Sequence, residues 1–138
     1  MKVYLGADSK NGYEDIPNFA LLGQRVLDAE ALEIYCDKFL SRFSFSEVPK
    51  VLELILKKLR IGGVLRVEEN DFQSISRQIF REETPIDVIN NHVFPTSGVM
   101  TKCMLSFRSV KDLIPESFEL TKAHFGSHTF SLEVRRIK

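Results

Sequence analysis

The residue that could most directly take part in acid–base chemistry is Asp37, which follows the apolar segment Leu32–Cys36. A carboxylate at the end of a buried segment can serve as a general base if burial raises its pKa. The alternative is a solvated surface aspartate, which is the commoner state of this residue type. The segment is itself ambiguous, because it fits a strand while the apolar residues between Ala29 and Phe43 recur at helical spacing, with Asp28 as a possible N-cap.

Three more acidic residues stand close together at Glu68, Glu69 and Asp71. Carboxylate oxygens suit divalent cations, but no further ligand stands at a set spacing, so a solvated loop is favoured and no metal is predicted. The histidines have no spacing that specifies a metal site, although two of them flank a predicted turn: His92, His124 and His128. The sequence also lacks a phosphate-binding loop, a CxxC motif and a Ser/His/Asp order.

The composition limits the classes of partner. The 138 residues suit one domain, 1–138, and the 19 basic and 19 acidic side chains cancel, so nucleic acid is not an expected partner. No apolar run approaches the ~20 residues that span a bilayer, so no membrane partner is expected. Cys36 and Cys103 form no disulfide framework, which favours a reduced, cytoplasmic setting.

The clearest predicted element is a helix that Ser46 caps, with Glu47 in its first turn and Gly62-Gly63 at its end. Its apolar residues form one stripe: Val48, Val51, Leu52, Ile55, Leu56 and Leu59. A strand, Val64–Glu68, follows at once. Before this helix, Lys2–Ala7 predicts a strand, residues 8–18 a loop, and residues 19–22 and 25–27 two short strands.

After the strand, Asn70 or Asp71 is expected to cap a helix that stops at Thr84-Pro85. Residues 85–104 are poorly patterned, with one helical turn at 87–90, and Ser109 opens a further short helix. The alternation of Phe130, Leu132 and Val134 with polar residues predicts a terminal β-hairpin. Helices that alternate with strands imply an α/β fold whose mostly parallel sheet is covered on both faces and ends in an antiparallel pair.

The segment from Val51 to Val67, a helix that runs into Gly-Gly and then a short strand, resembles a segment of the class I S-adenosylmethionine-dependent methyltransferases. The likeness is strongest to short members found near glycan-synthesis genes. Other segments are similar to that family in the same order along the chain: Lys2–Gly6, Leu32–Cys36, Phe39–Phe43, Asn70–Phe72, Met100–Met104 and the terminal hairpin. The resemblance favours a strand, the family's strand four, for Leu32–Cys36.

The resemblance implies a Rossmann-like methyltransferase sheet of order 3-2-1-4-5-7-6 or a subset of it, truncated if strand three is missing. It also implies S-adenosylmethionine as cofactor, bound at the carboxyl ends of the strands beside the switch point. The implied cofactor residues are those of the first loop, an acid for the ribose, a pair for the adenine, and the end of strand four: Gly6, Ala7, Asp8, Asp15, Asp28, Ala29, Tyr35 and Cys36. Asp28 is equally well explained as a helix cap.

The cofactor loop departs from the family pattern. Asp8 stands where a second glycine is usual, and residues 12–18 are too few for the helix that normally follows. The resemblance therefore implies one of two functions. The first is methyl transfer to an oxygen or nitrogen of a small or sugar-like acceptor, in which proximity and orientation carry most of the catalysis and Asp37 is the candidate catalytic residue. The second is a non-catalytic scaffold or partner-binding protein, and an oligomer is compatible with either.

Overall fold

The computed structural model describes residues 1–94 and 100–138. In these residues the strands are β1 (Lys2–Leu5), β2 (Glu14–Asp15), β3 (Ala31–Asp37), β4 (Leu59–Asn70), β5 (Phe118–Phe125) and β6 (Thr129–Arg136). The α-helices are α1 (Phe19–Arg25), α2 (Val48–Lys57), α3 (Phe72–Phe80), α4 (Ile86–Val93) and α5 (Phe107–Lys111), and a 3₁₀ turn covers Leu40–Arg42. None of the helices within these two ranges has the length and apolar composition needed to cross a bilayer.

The six strands form one sheet of order β2-β1-β3-β4-β6-β5. The first four strands of that order are parallel, and β6 runs antiparallel to both of its neighbours. With β3 and β4 in the places of the family's strands four and five, the order is 2-1-4-5-7-6. The predicted truncated methyltransferase sheet is therefore confirmed, and strand three is the one that the described residues lack.

The core lies on one face of this sheet. Inward-facing strand residues and the apolar sides of α1, α2 and α5 form a single cluster, which includes Val3, Leu5, Ile34, Leu65, Leu132, Leu22, Leu52, Ile55 and Val110. A second, small cluster joins α3 to α4 through Ile75, Ile89 and Val93. The expectation that helices cover both faces is wrong. Only residues 6–13 connect β1 to β2, fewer than the dozen or more that a parallel crossover with a helix requires.

Helix α2 confirms the predicted apolar stripe but not its predicted ends. It begins after Glu47 rather than at Ser46, since the Glu47 carboxylate accepts hydrogen bonds from the backbone N–H and hydroxyl of Ser44. It ends at Lys57, and Gly62-Gly63 lie inside β4. Gly62 has φ +82°, and a Cβ on Gly63 would lie 2.8 Å from the carbonyl oxygen of Arg60. The pairing with β3 passes from Leu59 directly to Val64, so the two glycines lie in an irregular stretch at the start of β4 instead of ending the helix.

Three other elements differ from the sequence predictions. Residues 19–27 hold helix α1 rather than two strands, because the Asn18 side chain accepts a hydrogen bond from Leu21 N–H and caps a helix there. Helix α5 begins after Ser106, which forms a capping box with Ser109. The helical turn predicted at 87–90 is extended to α4, and residues 95–99 of the poorly patterned segment lie outside the described residues.

Candidate functional site

The face of the sheet opposite the core carries polar and aromatic side chains. Tyr4, Tyr35, Arg66 and Glu133 stand side by side across β1, β3, β4 and β6. Arg66 donates from Nη2 to Oε1 of Glu133 at 3.1 Å, and its guanidinium lies over the Tyr35 ring, 5.7 Å from the centroid. These side chains satisfy one another's polar groups, as expected on a sheet face that no helix of the described residues covers.

Tyr4 bridges the carboxyl ends of β1 and β3, on either side of the switch point. Its ring stacks on that of Tyr35 with centroids 5.6 Å apart, and its hydroxyl donates to Oδ2 of Asp37 at 2.6 Å. Tyr4 is 3% exposed. Asp37, the candidate base, is therefore half-buried at the end of β3 with one oxygen already accepting a hydrogen bond. That bond holds it against β1 rather than in an open cleft.

Gly6 lies directly beneath the Tyr4 side chain. A Cβ at position 6 would stand 2.6 Å from the Tyr4 hydroxyl oxygen and 2.7 Å from Cζ, which is well inside van der Waals contact. A glycine loop serves a cofactor by leaving space above its backbone, and here the phenol ring fills that space. The residues present therefore do not fit a cofactor against Gly6.

The tyrosines of this face act as hydrogen-bond donors at neutral pH. Burial and the hydrogen bond to Asp37 raise the pKa of Tyr4, with Asp8 and Tyr35 as smaller contributors. Burial and the Glu68 charge raise the pKa of Tyr35. Burial and the hydrogen bond to Glu33 raise the pKa of Tyr13 to about 12. None of the three phenols is therefore a general base near pH 7.

The other predicted loop residues lie at the same edge of the sheet. Ala7 and Asp8 are exposed directly after β1. Asp15 ends β2 beside β1, is exposed, and accepts a hydrogen bond from Lys10 N–H at 3.4 Å. The structure thus brings the predicted ribose-binding acid next to the first loop.

Asp28 and Ala29 lie at the opposite edge, before the amino end of β3. A strand of that length spans about 20 Å, so the predicted adenine pair does not meet the other site residues. Asp28 does not cap a helix either, since it pairs with Nζ of Lys58 at 2.9 Å, and this contact lowers its pKa. Cys36 points away from the site into the core, where burial raises the pKa of its thiol.

The acidic residues at the end of β4 and directly after it perform three separate tasks. Glu68 accepts a hydrogen bond from the Tyr35 hydroxyl at 3.1 Å, and Asp71 caps α3 by accepting from Gln73 N–H. Glu69 is 1% exposed and accepts a hydrogen bond from Ser41 N–H, which holds the 3₁₀ turn against the end of β4. The solvated loop expected here is therefore wrong for Glu69 and Asp71. Within residues 1–94 and 100–138, no three potential ligands gather around a metal position.

Burial raises the pKa of Glu69 to about 7, and hydrogen bonds from the backbone of Ser41 and Leu40 oppose that shift only in part. The only indication of this environment in the sequence is that Glu69 stands two residues after Val67, on the buried face of the strand. The Glu69 carboxyl group therefore lies against the 3₁₀ turn that follows β3, the strand that ends in the candidate base Asp37.

Two histidines that lie far apart in sequence are stacked at this edge. The rings of His92, at the end of α4, and His128, after the hairpin turn, have centroids 3.8 Å apart and are inclined by 7°. Asn70 donates from Nδ2 to the His92 carbonyl oxygen at 2.8 Å, which ties α4 to the end of β4. Burial, then the charges of His92 and Lys38, lower the pKa of His128. Sequence spacing alone could not have shown this pair.

We expect substitution of His92 by alanine to raise the pKa of His128 toward its ordinary value. The stack excludes water from the imidazole and opposes its protonation, and both effects go when the partner ring is removed. NMR titration of the imidazole C–H resonances measures the change, and His124, exposed in β5, supplies a reference signal. An unchanged His128 titration would mean that the stack does not control it.

A ligand-sized cavity of about 410 Å³ lies away from this site. Its walls include Leu56 of α2, Leu113, and Phe118 at the start of β5. These residues lie near the amino end of β4, whereas Gly6 and Asp37 lie at the opposite, carboxyl end of the parallel strands. The cavity is therefore separate from the position at which this architecture binds ligands.

The strand order and the switch point between β1 and β3 define a domain with the fold of the class I S-adenosylmethionine-dependent methyltransferases. No protein-family profile and no curated protein sequence matches the chain. Solved structures do match. The PH0226 protein from Pyrococcus horikoshii OT3 superposes with a TM-score of 0.61 at 14% identity, over 91% of this chain and 60% of its own.

Two further matches are named as methyltransferases. A SAM-dependent methyltransferase from Archaeoglobus fulgidus has a TM-score of 0.58 at 10% identity, over 92% of this chain and 69% of its own. Magnesium protoporphyrin IX methyltransferase from Synechocystis PCC 6803, with bound SAH, has a TM-score of 0.56 at 11% identity, over 90% and 50%. The chain thus spans between half and two thirds of the length of most of these structures. At such identities the likeness establishes the fold alone.

Proposed function

We propose that this chain is a non-catalytic protein of methyltransferase fold, a scaffold or partner-binding protein that does not hold S-adenosylmethionine with its own residues. The observation that carries the proposal is the hydrogen bond between Tyr4 and Asp37, which draws the Tyr4 ring over Gly6. The resemblance leads us to expect the methionine moiety of the cofactor in the space that this ring fills. The short connection from β1 to β2 supports the proposal, since it has no helix whose N-terminus could line the pocket.

Methyl transfer from S-adenosylmethionine to an oxygen or nitrogen of a small or sugar-like acceptor is the second candidate. Asp15 favours it, because this acid ends β2 at the carboxyl edge, where the resemblance expects a contact to the ribose. The solved structures named as methyltransferases are consistent with the same cofactor. In this candidate, Tyr4 would have to leave its position over Gly6 before the cofactor could bind.

Isothermal titration calorimetry with S-adenosylhomocysteine separates the two candidates. The wild-type chain is expected to give no binding heat at millimolar ligand, while the Archaeoglobus fulgidus methyltransferase serves as the positive control. The variant Tyr4→Ala removes the ring, and Tyr13→Phe is a matched control that alters a tyrosine of the same face without opening the space over Gly6. Binding by Tyr4→Ala alone would identify the ring as the obstruction. Micromolar binding by the wild-type chain would overturn the proposal.

A further inference from the structure

Strand β5 forms the outer edge of the sheet. It is last in the strand order, and all residues from 119 to 125 are exposed. Its inner edge pairs with β6, so the outward N–H and C=O groups face no other strand of the described chain. The outward backbone groups of an exposed edge strand are a template for pairing with another strand.

A β-bulge divides β5 into two halves. The register with β6 shifts between Leu120 and Lys122, so Thr121 is the extra residue. The Thr121 hydroxyl donates to Oε2 of Glu133 at 2.8 Å, and Lys122 lies opposite Glu133 in the ladder. Thr121 and Lys122 therefore project from the same face of the sheet, which successive residues of a regular strand never do.

This bulge sets the register in which the strand can pair with itself: in a regular strand a two-fold axis must pass through a residue position, whereas the extra residue lets the axis fall between two residues. A two-fold axis perpendicular to a sheet requires that residues facing one another across the axis project to the same side. In a regular strand the positions 118 and 125 would project to opposite sides. The extra residue brings them to the same side. Phe118 lies opposite Arg136 and Phe125 lies opposite Phe130, so both side chains project to the core side of the sheet.

We propose that two copies of this chain pair antiparallel through the outer edge of β5, about a two-fold axis between Thr121 and Lys122. On the core side, Phe118 then faces Phe125 of the second copy, and Leu120 faces Ala123. On the other side, Glu119 faces His124, and Thr121 faces Lys122. Three of the four facing pairs are chemically matched, aromatic with aromatic, apolar with apolar, and carboxylate with imidazole N–H.

The apolar pairs continue the core of each copy into the interface. Phe125 already contacts Phe107 of α5, with centroids 5.0 Å apart, and Phe118 packs against the main cluster. Phe125 is 57% exposed and Leu120 is 42% exposed in the single chain. The two-fold pairing covers both side chains and joins two six-stranded sheets into one continuous sheet.

Charge reversal at the edge tests the interface without touching the core. His124→Glu places a carboxylate opposite Glu119 twice in each dimer and is expected to weaken dimerisation by about tenfold or more. Adding Glu119→Lys places an ammonium group opposite the new carboxylate and is expected to restore dimerisation. Lys50→Glu, which also adds negative charge but on the exposed side of α2, is the control and is expected to have no effect.

Sedimentation equilibrium over a range of protein concentrations measures the dimerisation constant of each variant, and circular dichroism verifies that each is folded. A wild-type chain that is monomeric at every concentration would overturn the proposal. So would a folded His124→Glu variant with the wild-type constant. The interface does not depend on the cofactor cleft, so this result and the calorimetric one are read independently.

Discussion

Replacement of Glu69 by glutamine is expected to stabilise the chain at pH 8 by about 3 kcal/mol and to leave its stability near pH 4 almost unchanged. Glu69 is 1% exposed, and burial raises its pKa from 4.5 to about 7. The folded state therefore binds the proton more tightly than the unfolded chain does. The stabilising contribution is complete below pH 4.5 and is lost as the pH rises through about 7.

Urea denaturation at a series of pH values measures this effect. The free energy of unfolding of the wild-type chain, relative to Glu69→Gln, should fall between about pH 4.5 and 7 and then level off. Glu14→Gln, which alters an exposed acid of β2, controls for the loss of a charge. A constant difference between wild type and Glu69→Gln at all pH values would show that the buried carboxyl does not titrate in this range.

Gly6→Ala is expected to lower the free energy of unfolding by about 3 kcal/mol, because the new methyl group must displace the Tyr4 ring and break its hydrogen bond to Asp37. The backbone itself does not require glycine here, since the φ of Gly6 is not positive. The same substitution in a Tyr4→Ala background should therefore cost almost nothing. In a Tyr4→Phe background the ring remains, and most of the cost should remain with it.

This double-mutant cycle assigns the glycine to the tyrosine above it. Gly23→Ala is the matched control, since a Cβ at that position in α1 meets no atom within 4 Å. It should stabilise the chain by about 0.5–1 kcal/mol, as alanine usually does in a helix. An equal cost of Gly6→Ala in the wild-type and Tyr4→Ala backgrounds would show that the loop backbone, and not the ring, demands glycine.

Predictions from periodicity succeeded where one element alone decides the pattern. The apolar stripe of α2 and the alternation along β6 are both buried as expected. The predicted ends of elements were less accurate, because side-chain hydrogen bonds to the backbone, which periodicity does not show, determine where each helix begins. Asn18 turns residues 19–25 into a helix, and Ser44 moves the start of α2 by one residue.

The candidate site shows the same division. Gly6, Asp8, Asp15 and Asp37 were expected together from the order of the strands, and the structure places them at one edge. Asp28 was placed by local similarity alone and lies at the other edge, because it precedes the amino end of β3, where it pairs with Lys58. Tyr4, which fills the space over Gly6, was not singled out, since a tyrosine in a strand gives no signal about which neighbour its ring will cover.

The sequence by itself determined the fold class, a mostly parallel sheet and the antiparallel hairpin, since hydrophobic periodicity and turn residues act over short distances along the chain. Tertiary structure alone decided that the core of the described residues would lie on one face of the sheet, that Glu69 would be buried, and that His92 would stack on His128. Each of these depends on residues distant in sequence being brought into contact. Burial, pKa and access to the switch point arise from those contacts and not from any one segment.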